Sequence, residues 1–400
     1  MKPRDVAVVG AGIQGVCIAL ELARAGARVH LFDEMAEPLA ATSRIGEGKL
    51  HTGALYANDP SGRTAALMRR ASLSFTPLIT RWLGEPMPES AFSEPFWYAV
   101  HRDSLLSPEA VGGHLARVSE GFTDTSDIPS GRYPGWDSGP FYETVPTRTR
   151  RAVYSDEIVA AFRTTERAID PVVLAVLLTG AVTDEERIHL YLGNRVERVI
   201  GDSHRMSLVC AGGTHGPYHH VVNAAWGGRL ALDAGRGIVP TRPWLFRFKA
   251  GAHIEGADLD ESTAPSTTVV LGAFGDIVNR GGGRWYLSWY PVCRLGASDS
   301  LHPGFHFASE ALDECFDPMI DGLEELIPAV GKLRATEHRV MRGGVIFAWG
   351  DGDIHNAETE LHRRFEVGPA SFGSYHSVDT GKLTTAPLFA METARRILQT

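Results

Sequence analysis

Cysteine is scarce in this chain, long apolar runs are missing, and neither a basic block nor a repeated or low-complexity tract occurs anywhere in its 400 residues. Each scarcity excludes a class of protein. Cys17, Cys210, Cys293 and Cys315 stand far apart, with no CxxC and no Cys/His spacing, which argues against a zinc ribbon or a disulfide framework and predicts reduced, buried thiols and no metal site. No segment approaches the length needed to cross a bilayer. Lys2 and Arg4 precede an apolar stretch, but glycines and Gln14 interrupt the core that a signal peptide requires. A cytoplasmic chain without integral membrane association is therefore expected. The formal charge of −9 comes from acids and bases that are interspersed along the chain, which disfavours nucleic acid and points to a small-molecule partner.

What the chain does have is concentrated at its start. An apolar run, Asp5 to Val9, leads into Gly10-Ala11-Gly12-Ile13-Gln14-Gly15 and then a helix-like segment, Val16 to Ala25. Gly10 permits a tight turn, Gly12 lets the backbone approach a pyrophosphate, and Gly15 allows close packing of helix on strand. The N-H groups of Ile13 and Gln14 then open a helix whose positive end suits a phosphate pair. A second apolar run, Arg28 to Phe32, ends at Asp33, where a carboxylate can accept the ribose hydroxyls of an adenosine. Strand, glycines, helix, strand and acid in that order predict a dinucleotide site. A flavin reductase that draws electrons from NAD(P)H usually carries a second fingerprint of this kind, and none occurs mid-chain. The redox partner is then expected to be an organic substrate.

With 400 residues and 44% apolar content, two cores are expected. The predicted fold is α/β with an α+β cap: a Rossmann-like dinucleotide-binding domain with a parallel sheet, discontinuous over 1–80, 151–240 and 341–400, and a substrate domain with a mixed or antiparallel sheet over 81–150 and 241–340. Asp170-Pro171 reads as the cap and first turn of a helix. Strands are expected at Ile188 to Leu192, Val196 to Ile200, His219 to Ala225, Trp244 to Lys249 and Arg284 to Tyr290, and a helix from about Thr384 to Leu398.

Several separated motifs, taken in order, resemble the D-amino acid oxidase (DAO) superfamily of FAD-dependent oxidoreductases, the branch with glycine oxidase, glycerol-3-phosphate dehydrogenase and L-2-hydroxyglutarate dehydrogenase. They are the N-terminal fingerprint with Asp33, Glu166-Arg167-Ala168-Ile169-Asp170-Pro171, Asn194-Arg195-Val196, Val222-Asn223-Ala224-Ala225, and Gly381-Lys382-Leu383-Thr384-Thr385-Ala386-Pro387. The resemblance spans nearly the whole chain and implies FAD as cofactor. It also implies that Val196 meets adenine through its backbone, that Asn223 and Ala224 line the adenosine side, and that Ser43 and Arg44 pass close to the pyrophosphate and flavin. Gly343 and Gly381 join them as cofactor contacts. Trp226 stands where the family usually has glycine.

Hydride arriving on a flavin leaves negative charge at its pyrimidine end. A helix start with free N-H groups on Leu383, Thr384 and Thr385, beside the Lys382 ammonium, suits that charge. Lys49-Leu50-His51-Thr52-Gly53 resembles a stretch of the hydroxy-substrate members that runs across the flavin face, which makes His51 the first candidate for a base. In some relatives a histidine nearby is instead bonded to the flavin. His376 and His253 are weaker candidates. Arg342 sits where relatives often show Gly-x-Arg-Pro and is a candidate clamp for an anionic substrate; Tyr286 and Tyr290 share a strand face that can point at the pocket, and Tyr375 is a further substrate candidate. The expected activity is removal of hydride from a CH-OH or CH-NH carbon of a small polar, anionic substrate. Two alternatives are a flavin-dependent monooxygenase, to whose Gly-Asp motif Gly350-Asp351 is superficially similar, and a flavoprotein whose FAD is structural.

Overall fold

The computed structural model describes residues 4–123, 131–202 and 205–399. Two large sheets organise them. The first has six strands in the order Gly368–Phe372, Tyr375–Asp379, His220–Asn223, Asp5–Val9, Arg28–Phe32 and Ile188–Tyr191, all parallel except the antiparallel edge strand Gly368–Phe372. Its central strand Asp5–Val9 is apolar from Val6 onward because those residues are covered on both faces. Val6 and Val8 join a core with the helices Ile13–Arg24, Pro171–Asp184 and Ala386–Leu398. Ala7 and Val9 face a separate three-stranded antiparallel sheet, Val196–Ile200, Met206–Cys210 and Gly213–Tyr218. The helix Pro171–Asp184 is capped as its sequence predicts, with the Asp170 carboxylate accepting the Val172 N-H at 2.9 Å.

The second sheet has nine strands and is mixed, with most pairs antiparallel. Its members are Trp97–His101, Tyr142–Thr144, Ile158–Thr164, Trp244–Ile254, Thr267–Val270, Gly275–Asn279, Trp285–Trp289, Arg294–Ser298 and Arg339–Trp349. On its outer face Trp97, Ala250, Ala252, Ile254, Trp285 and Leu287 pack against the helix Phe316–Leu326, which buries Phe316, Met319, Ile320 and Leu323 at the spacing of one helical stripe. Its inner face turns toward the first sheet. The expected boundaries at 151 and 341 move accordingly, because Ile158–Thr164 and Arg339–Trp349 pair in the nine-stranded sheet and not with the nucleotide sheet. Both strands lead into segments of the first body, Pro171–Asp184 and Gly368–Phe372, and only their distant partners reveal their side.

All four cysteines are free and buried. Among the described residues no helix is long and apolar enough to cross a membrane.

Candidate active site

The glycine turn works by what it leaves out. Gly10 has φ +98°, and a Cβ on it would lie 2.6 Å from the Ala224 carbonyl oxygen; one on Gly15 would lie 1.7 Å from the Gly10 oxygen. Neither position admits a side chain. Gly12 differs, since a Cβ there would meet only the Ser43 hydroxyl at 3.4 Å, so the approach to its backbone is open. Ser43 accepts the Ile13 N-H at 3.0 Å, fixing the loop Thr42–Arg44 over the helix start. Asp33 accepts the N-H of Ala11 at 2.5 Å and of Met35 at 2.8 Å, and its own carbonyl takes the Asn194 N-H at 2.7 Å. That bond brings Val196, at the head of its strand, alongside Phe32 in one core. Gln14 turns away from the turn; its amide donates to Ala386 O at 3.1 Å and ties two helices together.

Opening residues of the helix at the far end of the chain meet this turn's neighbourhood through the segment 48–52. Ile169 N-H donates to Gly48 O and Leu50 N-H to Arg167 O, so the Glu166–Pro171 motif forms an antiparallel bridge beneath Lys49. The fully buried Glu166 carboxylate accepts Thr52 N-H at 2.7 Å and the hydroxyls of Thr52 and Tyr98. His51 is thereby fixed in its backbone, and its N-H donates to Thr384 Oγ1, which in turn donates to Lys49 O. Thus the 383–385 turn and the His51 segment are stitched together. Of the three N-H groups expected to be free there, that of Thr385 is taken by Lys382 O at 3.1 Å; those of Leu383 and Thr384 have no acceptor among the described residues. The helix proper starts at Ala386, two residues later than Thr384 and just after the 3-10 turn Leu383–Thr385.

Around His51 lies a buried charge cluster that sequence reading did not assemble. Lys49, 1% exposed in its side chain, pairs with Asp276 at 2.7 Å, and Lys249 approaches the same carboxylate at 4.0 Å. Glu47 stands 4.0 Å from His51 Nε2. Burial would raise the Glu47 carboxyl, but Lys249, Lys382 and Lys49 overcome that and hold it below the usual range. Burial, with Lys382 and Lys49, pushes the His51 imidazole well below its usual value and keeps it neutral. The Lys382 ammonium is pushed down to about 8 by burial and by Arg364, with Glu47 opposing. Four cations (Lys49, Lys249, Arg364, Lys382) thus gather around the carboxylates of Glu47 and Asp276, with Glu166 acting on Lys49 and Asp379 on Arg364. His51 Nδ1, Tyr56 Oη and Arg44 Nε are buried without a partner. Unpaired donors and acceptors at a buried site signal a missing ligand, and together with the open Gly12 backbone they fit a bound dinucleotide whose ring end reaches His51.

The nine-stranded sheet supplies the opposite wall. Register places Tyr98, Thr268, Asp276, Ser288, Gly251 and Arg342 in one transverse row on its inner face. Tyr286 lies across the bare Gly251, where a Cβ would sit 2.6 Å from its hydroxyl, and Gly251 pairs directly with Arg342, which is exposed and close enough to His253 to oppose its protonation. Tyr290 begins a short helix and donates to Asp353 at 3.1 Å. Three expectations change here. Gly343 faces the outer side, under the Phe248 ring, and Gly344 is the glycine that faces Thr42 on the cofactor side; strand alternation separates the two. Tyr375 is buried in the nucleotide sheet, bonded to Asp233 at 2.7 Å and Asn223 at 2.9 Å, and lies in a different core from Tyr286. Asn223 likewise spends its side chain on Arg229 O, Asp233 and Tyr375, while Ala224 meets the turn through its carbonyl.

His253 accepts no proton readily, being pushed down to about 4 by burial and Arg280, and it bonds Ile45 O at 3.0 Å. His376 sits in the nucleotide sheet beside His220 and Ser371. Trp226 adopts φ +43°, a left-handed conformation that glycine takes without cost. Its indole N-H donates to Val345 O at 2.8 Å and holds it there, linking the two bodies.

Comparison with known proteins agrees with this geometry. A family model described as "DAO: FAD dependent oxidoreductase" matches residues 5–396. No curated protein sequence matches the chain. Among solved structures, glycine oxidase from Geobacillus kaustophilus is similar with a TM-score of 0.68 at 16% identity, covering 100% of this chain and 96% of that one. Iminodiacetate oxidase from Chelativorans sp. BNC1 gives 0.68 at 16% identity, with 98% and 95% covered. L-proline dehydrogenase from P. horikoshii gives 0.66 at 15%, with 99% and 94% covered. At such identities the structural likeness speaks to fold, and it is the family model over nearly the whole chain that decides: this protein belongs to the DAO family of FAD-dependent oxidoreductases.

Proposed function

We propose that the chain oxidises a CH-OH or CH-NH carbon of a small polar substrate that carries an anionic group. The observation that supports this is the balance of buried charge at His51 itself, where Lys382, Lys49 and Arg364 oppose protonation and Asp276 offsets them only in part. Buried charge of one sign is unfavourable unless matched, and an anion entering between Lys382, Lys249 and Arg342 matches it. FAD, when bound, supplies the two-electron acceptor for the hydride. The remaining steps fall to the chain. Arg342 and the Tyr286 hydroxyl beside it orient the substrate. His51, kept neutral by burial and by the nearby lysines, takes a hydroxyl proton at Nδ1 while Glu47 steadies the imidazolium from the Nε2 side. Lys382 and the open N-H groups of Leu383 and Thr384 oppose the negative charge that develops at the flavin end.

Similarity to glycine oxidase, iminodiacetate oxidase and L-proline dehydrogenase favours an amine; the buried, neutral His51 favours a hydroxyl. An anaerobic screen of flavin bleaching, run with hydroxy acids, amino acids and the uncharged amide of each, tests the reading. Acids are expected to bleach the flavin and amides to fail; equal rates for both would overturn the anionic substrate. His51→Ala then separates the two chemistries. An amine already deprotonated needs no base, so its turnover should survive, whereas a hydroxyl substrate should lose about 10²–10⁴-fold.

A further inference from the structure

On the inner face of the strand Trp244–Ile254, one alternation step before Lys249, lies a residue with no role in the reaction described above. Arg247 is 3% exposed. Its Nη2 donates to Gly352 O at 2.6 Å, and its Nε and Nη1 are buried without a partner. Arg247 pairs in register with Ile346, and the next residue, Phe347, offers its carbonyl to Arg364 Nη1 at 3.1 Å. Two guanidinium groups therefore converge on one point of this strand pair. Arg364 satisfies Nε on Leu361 O and is met by no carboxylate within ion-pair distance among the described residues. The acids nearby are committed elsewhere. Asp353 takes Arg294 at 3.1 Å, the Tyr290 hydroxyl and the Ile354 N-H; Asp379 takes the Trp349 indole, the Gly381 N-H and, at 3.5 Å, Arg229. Burial lowers the Arg247 guanidinium, and Arg364 adds to that while Tyr290 and Asp353 oppose it.

Asp353 and Asp379 act on the two guanidinium groups only from a distance, and the two idle, buried nitrogens of Arg247 are donors that an anion between the pair would satisfy. Arg364 is close enough to His51 and Lys382 to influence both, so the anion belongs to a molecule that also reaches the reacting centre. We infer that Arg247 and Arg364 form a second anion-binding subsite, so that the substrate carries two anionic groups, one toward Arg342 and one toward this pair. The inference rests on the anionic-substrate reading above and narrows it to a dicarboxylate or a phosphorylated acid. Planar guanidinium groups bind either.

Binding, not turnover, tests it. The FAD-loaded protein is titrated with propionate, succinate and phosphoglycolate under non-reducing conditions, followed by flavin difference spectra and calorimetry. Succinate or phosphoglycolate is expected to bind at least about tenfold tighter than propionate, the equivalent of one good charge contact. The tighter of the two identifies a carboxylate or a phosphate as the second group. In Arg247→Gln this preference should fall toward one while propionate affinity stays within about twofold, and Arg247→Lys should restore part of it; Arg364→Gln should lose the preference as well. A wild-type preference near one, or a preference that survives both glutamine variants, overturns the second subsite. The wild-type ratio decides even if a variant fails to fold. Propionate that binds without any preference for the dianions sinks this inference alone; failure of all three anions to bind sinks the anionic-substrate reading with it.

Discussion

At the turn spanning residues 10–15, recognition depends on main chain kept bare by glycine; on the inner face of the nine-stranded sheet it depends on charged side chains brought together from segments such as Lys49 and Asp276, which lie 227 residues apart. The turn is local. Its strand, glycines, helix and acid are consecutive, so one stretch of sequence encodes its shape and its chemistry together. The charge cluster is assembled by register and by loop packing, and no single segment of it encodes the whole. A backbone site fails when something is added, and a side-chain site fails when something is removed.

The sharpest break of that contrast uses the glycines themselves. Gly15→Val places a branched side chain where even a Cβ would lie 1.7 Å from a main-chain oxygen. Overpacking against backbone costs about 3 kcal/mol or more, and the purified variant is expected to lack flavin absorbance altogether. Gly12→Ala has room in the fold, with only Ser43 Oγ at 3.4 Å. It should leave the unfolding free energy of the FAD-free protein within about 0.5 kcal/mol of wild type, a surface-like change, yet weaken FAD at least about tenfold, or about 1.4 kcal/mol. Equal losses of stability in both variants would show that Gly12 is structural and not an approach for phosphate.

Next in size comes removal of one partner from the charge cluster. Asp276→Asn leaves Lys49 ionised and buried, which costs about 3–5 kcal/mol, measured by denaturant unfolding. Adding Lys49→Met should recover at least half of that, because the packed double variant no longer buries an unmatched charge. If the two losses simply add, the pair is not coupled and the cluster is a set of independent surface-like charges.

A smaller effect tests function at the same place. Lys382→Met is expected to slow flavin reduction by about 10²-fold, the cost of one preorganised stabilising group. Because Lys382 is pushed down to about 8, wild-type reduction should slow as pH rises through about 8, and the variant should lack that step. Stability moves the other way. The unfolded chain holds the lysine proton to higher pH than the folded chain does, so the folded state gains as pH climbs above 8. A rate and a stability that fall together above pH 8 would assign the step to a different group.

Legibility in the sequence follows the same division. The turn, Asp33, the Asp170 cap and the helix after Pro387 were readable because each depends on neighbours in the chain. Lys49 and His51 stood in a recognisable stretch, but Glu47, Lys249, Asp276 and Arg364 did not, since strand pairing places Lys249 and Asp276 and loop packing places Glu47 and Arg364. One signal was present in Trp244–Ile254. Arg247, Lys249 and His253 alternate there with Phe246, Phe248, Ala250 and Ala252, a polar face on a strand too apolar on its other side to lie at the surface. Charges repeated on one face of a core strand mark a lined cavity. Gly343 and Gly344 illustrate the complement: adjacent glycines look alike in sequence, and only the phase of the strand decides that Gly344 faces the cofactor side.

Tyr375 provides the finest test of the comparison, because sequence reading placed it with the substrate and the fold places it in the nucleotide sheet. Its hydroxyl donates to Asp233 at 2.7 Å and accepts from Asn223 at 2.9 Å. Tyr375→Phe removes both bonds without leaving Asp233 bare, since Ser377 at 2.6 Å and Asn223 at 2.8 Å still donate to that carboxylate. The loss should be about 1–2 kcal/mol of unfolding free energy, with KM unchanged. Tyr286→Phe should behave in reverse: its hydroxyl lies over Gly251 beside Arg342, so stability should barely move while KM rises. If Tyr375→Phe raises KM at full FAD content, the strand Tyr375–Asp379 reaches the substrate after all, and the line drawn between a backbone-built cofactor site and a side-chain-built substrate wall would have to be moved.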